Sequence, residues 1–391
     1  MIKNLASYIR QPQFLSIGMV FALHAILFSL WVTRLPEVKD ALDLSEADLG
    51  ICLFFMPLGA LTAMMIASPL IRRFGAGKVT LGAAITYFMS MVLPFLATNA
   101  GGLGAALYVV GVCAGVNDIA MNAVAAALEK IHQKVMMSTT HGFFSLGGML
   151  GAFLGASFIG LEIDGLLAMV GGVAGCLIVL GGIQSNIRQV IGEEEKGGKL
   201  FAFPGKAVLG LAIIAFCTML GEGAVSDWSS IYLKEIALAE GAMIGLGYAG
   251  FSLAMTIGRF YGDMLIDRFG SSRIFLLGSL FAIVGLLLIL VGETLTAIAG
   301  FTLVGSGYSS IIPVAFSEAA KSDEQSASRG ITAVISFGYI GFLLGPVLIG
   351  MISEWGGLKL GMCFLLLTAF ITWGLAWKSA SAPSASPINE P

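Results

Sequence analysis

The chain is a succession of apolar runs, each long enough to cross a lipid bilayer and separated by shorter polar segments. A spanning helix needs about 20 mostly apolar residues to cross the hydrocarbon core. The sequence therefore predicts an all-α membrane protein of twelve transmembrane helices. Their predicted bounds are 13–35, 47–70, 79–98, 103–128, 138–161, 165–184, 206–233, 241–263, 273–292, 296–320, 329–353 and 359–378.

The composition excludes several classes of protein. Only 12% of the residues are charged, against about 25% in an ordinary soluble domain. The net charge of −3 provides no basic field for nucleic acid. No phosphate-binding loop, zinc-ligand spacing or clustered catalytic group is present. We therefore expect no cofactor, metal, enzymatic activity or nucleic-acid partner; the expected partners are a small-molecule solute, protons and the lipid bilayer.

The long polar segment at 185–205 predicts a division of the chain into two halves. We expect a six-helix bundle at 1–184, a linker at 185–205, a second six-helix bundle at 206–378 and a tail at 379–391. The first apolar run is long enough to span the membrane, so it predicts a membrane helix rather than a cleaved leader.

The basic residues predict the orientation. If the N-terminus lies in the cytoplasm, seventeen Lys and Arg residues fall on the cytoplasmic side, Arg259 included, and four on the outer side. Short cytoplasmic loops of membrane proteins carry this excess of positive charge. With an even number of spans, both termini are predicted to be cytoplasmic, and the predicted location is the bacterial inner membrane.

The two halves repeat each other in sequence. The triplet Arg73-Phe74-Gly75 recurs as Arg268-Phe269-Gly270, 195 residues later. The fifth span carries glycines that have a near match in the eleventh span, with an offset of 194 residues: Gly147, Gly151 and Gly155 against Gly341 and Gly345. An internal repeat of half the chain is typical of a secondary transporter.

The segment 262–270, Gly-Asp-Met-Leu-Ile-Asp-Arg-Phe-Gly, resembles the G-x-x-x-D-R-x-G signature of the major facilitator superfamily. The first-half copy is degraded, with Ala67 in place of the glycine and Arg72 in place of the acid. The resemblance implies two rocking six-helix bundles in a protein that works as a monomer. It also implies a gating set that controls the rocking without contacting substrate: Arg73, Gly75, Asp263, Asp267, Arg268 and Gly270.

Two carboxylates within the spans are candidate proton carriers, because a charge at the bilayer centre costs about 2.5–3.5 kcal/mol and needs a cavity, a partner or a function. Asp118 lies in the fourth span, and Asn122 follows on the same helix face. This pair resembles the L-fucose permease-like branch of the superfamily, in which such a carboxylate lines the sugar cavity and takes part in proton coupling. Glu222 lies in the seventh span between two glycines. A hydrogen-bonded structural carboxylate is the alternative for each.

Two histidines complete the predicted proton-coupling residues. His24 lies within the first span and His141 within the fifth. Histidine titrates near neutral pH, so either could relay protons. The alternative for both is a hydrogen bond between helices.

Other polar and aromatic residues of the spans are candidates for contact with the solute. Arg34 occupies the outer end of the first span, where the fucose permease carries a carboxylate, and an arginine there is compatible with an acidic solute. Its alternatives are pairing with Glu37 or extension toward lipid headgroups. The predicted substrate-binding residues are Trp31, Arg34, Asn117, Asn122, Asp227, Trp228 and Tyr308.

The sequence thus predicts a proton-coupled secondary transporter for a small polar solute, such as a sugar, a sugar acid or a related metabolite. The alternative is an efflux transporter for drugs or amphipathic metabolites, because the 18 Met and 26 Phe residues could line an adaptable cavity. A receptor or a membrane-embedded enzyme is the third possibility.

Overall fold

A computed structural model describes residues 8–134, 136–191, 202–206, 208–322 and 327–381. Over these residues the chain is almost entirely helical and contains no strand, which confirms the all-α prediction. The helices are α1 (Pro12–Thr33), α2 (Leu35–Ala41), α3 (Glu46–Phe74), α4 (Ala76–Ser90), α5 (Ala100–His132), α6 (Met137–Gly160), α7 (Gly165–Ile187), α8 (Leu209–Glu235), α9 (Met243–Phe269), α10 (Ser271–Val291), α11 (Thr294–Tyr308), α12 (Ile311–Ser322), α13 (Ala327–Gly356) and α14 (Leu358–Ser381).

The predicted spans correspond to these helices. Eleven stretches of the described chain are long and apolar enough to cross a membrane, and α9, with 27 residues, occupies the position of the remaining predicted span. The tenth span is divided into α11 and α12 at Ser309 and Ser310. Pro313 explains the break, because it lacks the N–H that would continue the helical hydrogen bonds there.

The repeated glycines of the fifth and eleventh spans allow close helix packing in both halves. A Cβ atom added to Gly147 of α6 would collide with the carbonyl oxygen of Ala22 in α1. A Cβ atom added to Gly341 of α13 would likewise collide with the carbonyl oxygen of Phe216 in α8. Glycine therefore lets the fifth span pack on the first, and the eleventh on the seventh, at backbone contact.

The two Arg-Phe-Gly loops also share a conformation. Gly75 has φ +84° and Gly270 has φ +76°, a region that favours glycine. Arg73 and Arg268 each place the guanidinium carbon over the ring of the following phenylalanine, at 5.2 and 5.6 Å. The side chains of the other two gating candidates, Asp263 and Asp267, lie outside the part of the chain that the structure describes.

Successive spans run in opposite directions and define two faces of the molecule. We call the face where α1 begins and α14 ends the terminal face, and the opposite face the far face. The predicted orientation places the terminal face in the cytoplasm and remains a prediction.

Ion pairs join the two halves at the far face. The Lys39 amine of α2 lies 2.6 Å from the Glu235 carboxylate of α8 and 3.4 Å from that of Glu46 in α3. Lys234 of α8 pairs with Asp40 of α2. Both α2–α8 pairs cross from one half to the other, so we call these five residues the far-face ion-pair cluster.

Close helix packing also closes the far face. A Cβ atom at Gly50 of α3 would lie 2.6 Å from the carbonyl oxygen of Pro346 in α13. A Cβ atom at Gly245 of α9 would lie 2.8 Å from the Cβ atom of Ala156 and 2.9 Å from its Cα atom in α6. The helix pairs α3–α13 and α6–α9 therefore meet at backbone contact across the two halves, and the far face is shut.

We expect the substitution Lys39→Gln to weaken this closure. Burial lowers the pKa of Lys39, but Glu235 and Glu46 raise it by more, so the pKa lies above its ordinary value and the amine is charged at neutral pH. Removing the charge should raise the accessibility of the far face about fivefold, because an ion pair of this kind stabilises the closed arrangement by about 1 kcal/mol. The alkylation rate of Ala242→Cys, in a background without the native cysteines, measures this accessibility.

The matched control is Lys359→Gln, which removes an exposed lysine at the same face, beside Gly292 of its own half. This control should leave the alkylation rate unchanged. An equal rate in Lys39→Gln and the parent protein would show that the cluster does not hold the far face closed.

Candidate functional site between the two halves

Asp118 faces the space between the two halves. It lies fourteen residues before the end of α5 at the terminal face, and its side chain is exposed. The Asn122 amide donates to its carbonyl oxygen at 2.9 Å and to its carboxylate at 3.3 Å. Tyr339 of α13 lies within electrostatic range of this carboxylate and is 49% exposed. Because the far face is shut, these mid-helix groups are reached from the terminal face, through a space that we call the cleft.

Glu222 and Arg259 form an ion pair in the second half. Their nearest atoms, Oε2 of Glu222 and Nη2 of Arg259, are 3.6 Å apart. The Arg259 side chain is 41% exposed and that of Glu222 is 19% exposed. Glu222 lies in the middle of α8, as predicted, and Arg259 extends toward it from α9.

Arg259 lies within a helix and not in a cytoplasmic loop, where the count of basic charges had predicted it. It lies sixteen residues after the start of α9 and ten before its end, so it belongs to the transmembrane part of the helix. The helix continues to Phe269, six residues beyond the predicted end of the span. The signal was present in the sequence, since the predicted span 241–263 already contained this residue.

Arg259 also reaches the first half. Its Nη1 donates to the Ser145 hydroxyl of α6 at 3.4 Å. Thr256, one turn away on α9, donates to the Ser145 carbonyl at 3.1 Å. His141 of α6 is exposed, interacts electrostatically with Arg259 and packs edge-on against Phe21 at 5.2 Å. The α6–α9 contact thus brings one predicted proton-coupling residue, His141, close to the ion pair that contains another, Glu222.

His24 lies apart from the exposed groups of the cleft. It is buried and accepts a hydrogen bond at Nδ1 from the Asn117 amide at 2.9 Å. Its ring stacks on Tyr87, with the centroids 4.1 Å apart. In this arrangement His24 and Asn117 join α1, α4 and α5. The roles predicted for them in proton coupling and solute binding remain predictions.

A hydroxyl cluster lies between the cleft and the far face. Tyr248 of α9 lies next to Ser252 of the same helix, Ser226 of α8 and Ser29 of α1, and Asp227 is within electrostatic range. Asp227 is partly exposed, and the described residues provide it with no ion-pair partner. The predicted solute-binding residue Asp227 thus belongs to a polar layer to which both halves contribute.

The remaining solute-binding candidates are buried in the helix packing. Trp31 and Trp228 are 1% and 0% exposed, and Tyr308 is 2% exposed. Arg34 is 4% exposed and lies 2.9 Å from the Glu37 carboxylate, which was its predicted structural alternative. In this conformation none of the four side chains faces an accessible space, and their roles in binding remain predictions.

The described chain thus has the architecture of a polytopic membrane transporter, with two similar halves, polar groups at mid-membrane and closure at one face. Residues 16–235 and 211–390 each match the family model of the Major Facilitator Superfamily. Together the matches cover nearly the whole chain. The chain belongs to the Major Facilitator Superfamily.

Similar proteins extend over almost the same length. An uncharacterized transporter of Sinorhizobium fredii is 34% identical over 90% of this chain and 93% of its own length. An uncharacterized MFS-type transporter of Yersinia pestis is 31% identical over 91% and 94%. Membrane protein MosC of Rhizobium meliloti is 30% identical over 91% and 87%.

Solved structures of the superfamily share the fold. A mutant of the nucleoside transporter NupG superposes with a TM-score of 0.73 at 12% identity, covering 93% of this chain and 98% of that one. A D-xylose–proton symporter superposes with a TM-score of 0.70 at 15% identity, with the same coverage of 93% and 98%. At these identities the likeness shows the fold alone, and it confirms the predicted fold class.

Proposed function

We propose that this chain is a secondary active transporter that moves a small polar solute across the bacterial inner membrane by alternating access, coupled to protons. The solute class is a sugar, a sugar acid or a related metabolite, and the transporter works as a monomer with both termini in the cytoplasm. Closure at the far face then corresponds to an inward-facing conformation. The proposal also places the chain in the L-fucose permease-like branch.

The exposed carboxylate of Asp118 is the observation that carries this proposal. The part of the chain that the structure describes provides it with no cationic partner, although it lies at mid-membrane depth. An unpaired charge at that depth is costly, so a structural carboxylate would be expected to have a cation or several donors. A carboxylate that binds and releases a proton from the cleft accounts for its position.

Two further observations support the proposal. The cleft is lined by polar groups of both halves, which suits a polar solute whose binding site changes access when the halves rock. Moreover, two of the similar structures are described as a nucleoside transporter and a D-xylose–proton symporter. Each of those solutes carries sugar hydroxyl groups.

The direction of transport separates this proposal from efflux. Radiolabelled candidate solutes, chosen by a thermal-shift screen of sugars, sugar acids and amphipathic cations, are offered to right-side-out and inverted membrane vesicles. We expect a polar solute to accumulate in right-side-out vesicles when the medium is acidified. Accumulation of amphipathic cations in inverted vesicles alone would contradict the proposal and favour the efflux alternative.

A further inference from the structure

Arg259 has an unusual position among the basic residues. Elsewhere in the described helices, the Lys and Arg residues lie in the first or last turn of the helix. Arg259 instead lies well inside α9 and is exposed to the cleft. A cation at this depth is costly unless it has a function or a strong partner.

The partners of Arg259 hold it only loosely. Charge-assisted hydrogen bonds to carboxylates are about 2.7–2.9 Å long, whereas the nearest Glu222 oxygen is 3.6 Å away and the Ser145 hydroxyl 3.4 Å away. The guanidinium group carries five N–H donors, and these two contacts leave donors available to a ligand in the cleft. Arg259 is therefore held in position by contacts that leave part of its hydrogen-bonding capacity unused.

Glu222 is also incompletely satisfied. Its Oε1 atom is buried and has no hydrogen-bond partner among the described residues. Tyr308 of α11 and Arg259 of α9 interact with this carboxylate electrostatically. The ion pair is therefore weak enough for another anion to compete with Glu222 for the guanidinium group.

We propose that the transported solute is an organic acid, and that its carboxylate binds Arg259 in place of Glu222. A planar carboxylate suits the fork of an arginine, which can donate two parallel hydrogen bonds to it. Arg259 is then the residue that selects acids over neutral polyols of similar size. This inference rests on the proposed function and narrows its solute class.

The charges of the cleft explain how the acid and the proton are coupled. Among the described residues, the ionisable groups facing the cleft are Asp118 of α5, His141 of α6, Glu222 of α8, Arg259 of α9 and Tyr339 of α13, and Asp227 of α8 lies in the polar layer next to it. With neutral His141 and Tyr339, the three charged groups Asp118, Glu222 and Arg259 carry one net negative charge when no solute is bound. Protonation of Asp118 removes that charge, and binding of a monovalent acid restores it. One proton and one acid therefore cross together without net charge.

The test uses the purified full-length protein and three pairs of compounds: gluconate and sorbitol, glucuronate and glucose, and succinate and 1,4-butanediol. Binding is measured by thermal shift and by calorimetry. At least one acid should bind the wild-type protein at least tenfold more tightly than its neutral counterpart. Arg259→Gln should abolish this preference, and Arg259→Lys should weaken binding of the acid about tenfold because lysine lacks the planar fork. Glu222→Gln, which removes the competitor, should strengthen it.

Arg188→Gln is the matched control, since it removes an exposed arginine at the end of α7, outside the cleft. It should bind the acid like the wild-type protein. Melting temperatures without ligand show whether each variant is folded, and Arg259→Lys keeps the charge should Arg259→Gln fail to fold. The inference is overturned if no acid binds, if a neutral compound binds equally well, or if Arg259→Lys binds the acid unchanged.

Uptake into proteoliposomes separates this inference from the proposed function. An acid that binds through Arg259 but is never taken up would contradict the transporter proposal and leave the binding site standing. Proton-driven uptake of a neutral polyol, unchanged in Arg259→Lys, would support the transporter and overturn the inference. A membrane potential imposed at constant pH should leave uptake of a monovalent acid unchanged, and potential-driven uptake would also overturn it.

Discussion

Asp118→Asn is expected to abolish proton-driven accumulation of the solute. Asparagine has nearly the same shape as aspartate and can accept the hydrogen bond that Asn122 donates, but it cannot carry the proton. A gradient of one pH unit is worth about 1.4 kcal/mol per proton, or about a tenfold concentration ratio. In proteoliposomes with such a gradient, the wild-type protein should accumulate solute about tenfold, whereas the variant should reach a ratio of one.

Two controls distinguish loss of coupling from loss of fold. Asp118→Asn should still exchange labelled for unlabelled solute across the membrane, because exchange requires binding and rocking but no net proton movement. Asp164→Asn changes a carboxylate that caps α7 at Leu167, and asparagine caps helices equally well. That variant should behave like the wild-type protein. If uptake by Asp118→Asn keeps its full pH dependence, Asp118 is not the proton carrier.

Gly50→Leu is expected to prevent closure of the far face and to reduce net transport to background. A Cβ atom at Gly50 would lie 2.6 Å from the Pro346 carbonyl oxygen and 3.2 Å from the Gly350 Cα. Both are backbone atoms of α13, so the clash cannot be relieved by a side-chain rotation. It is relieved only if α3 and α13 separate, which is the arrangement in which the far face is open.

The alkylation rate of Ala242→Cys measures the accessibility of the far face in this variant as well. This rate should rise more than tenfold. The melting temperature should change little, because each half keeps its own helix packing. Gly171→Leu is the matched control, since a Cβ atom at Gly171 of α7 meets nothing within 4 Å. Normal transport by Gly50→Leu would show that close approach of α3 and α13 is not part of the cycle.

Much of the fold follows from local features of the sequence. The apolar runs predict the spans because length and hydropathy alone decide whether a helix can cross a bilayer. The Arg-Phe-Gly repeat predicts equivalent loops, and Gly75 and Gly270 adopt nearly the same φ. The spacing of Ser45 to Asp48 is typical of a helix N-cap, and in the structure Ser45 caps α3 by accepting a hydrogen bond from the Asp48 amide at 3.1 Å.

The cross-half contacts could not be predicted in this way. Lys39 and Glu235 are 196 residues apart in sequence and meet only because the two halves pack at the far face. Arg259 and Glu222 lie on different helices, and no local pattern joins them. The sequence identified Glu222 as a candidate from its depth alone, but its partner depends on how α8 and α9 are rotated against each other.

The burial of the aromatic candidates could not be predicted from the sequence either. Trp31 and Trp228 were predicted to contact solute, yet both are almost completely buried between helices. Which face of a nearly uniformly apolar helix points inward is decided by packing, because such a helix has little amphipathic pattern to read. The polar residues of the cleft are therefore the better guides to its lining.

Solute-driven proton movement tests the central claim most directly. Proteoliposomes with a pH-sensitive dye in the lumen start with equal pH on both sides, and the solute identified by the binding screen is added outside. Coupled transport predicts that the lumen acidifies as the solute enters, with one proton per solute molecule, and that Asp118→Asn shows no acidification. Entry of the solute into wild-type vesicles without acidification of the lumen would contradict proton-coupled transport.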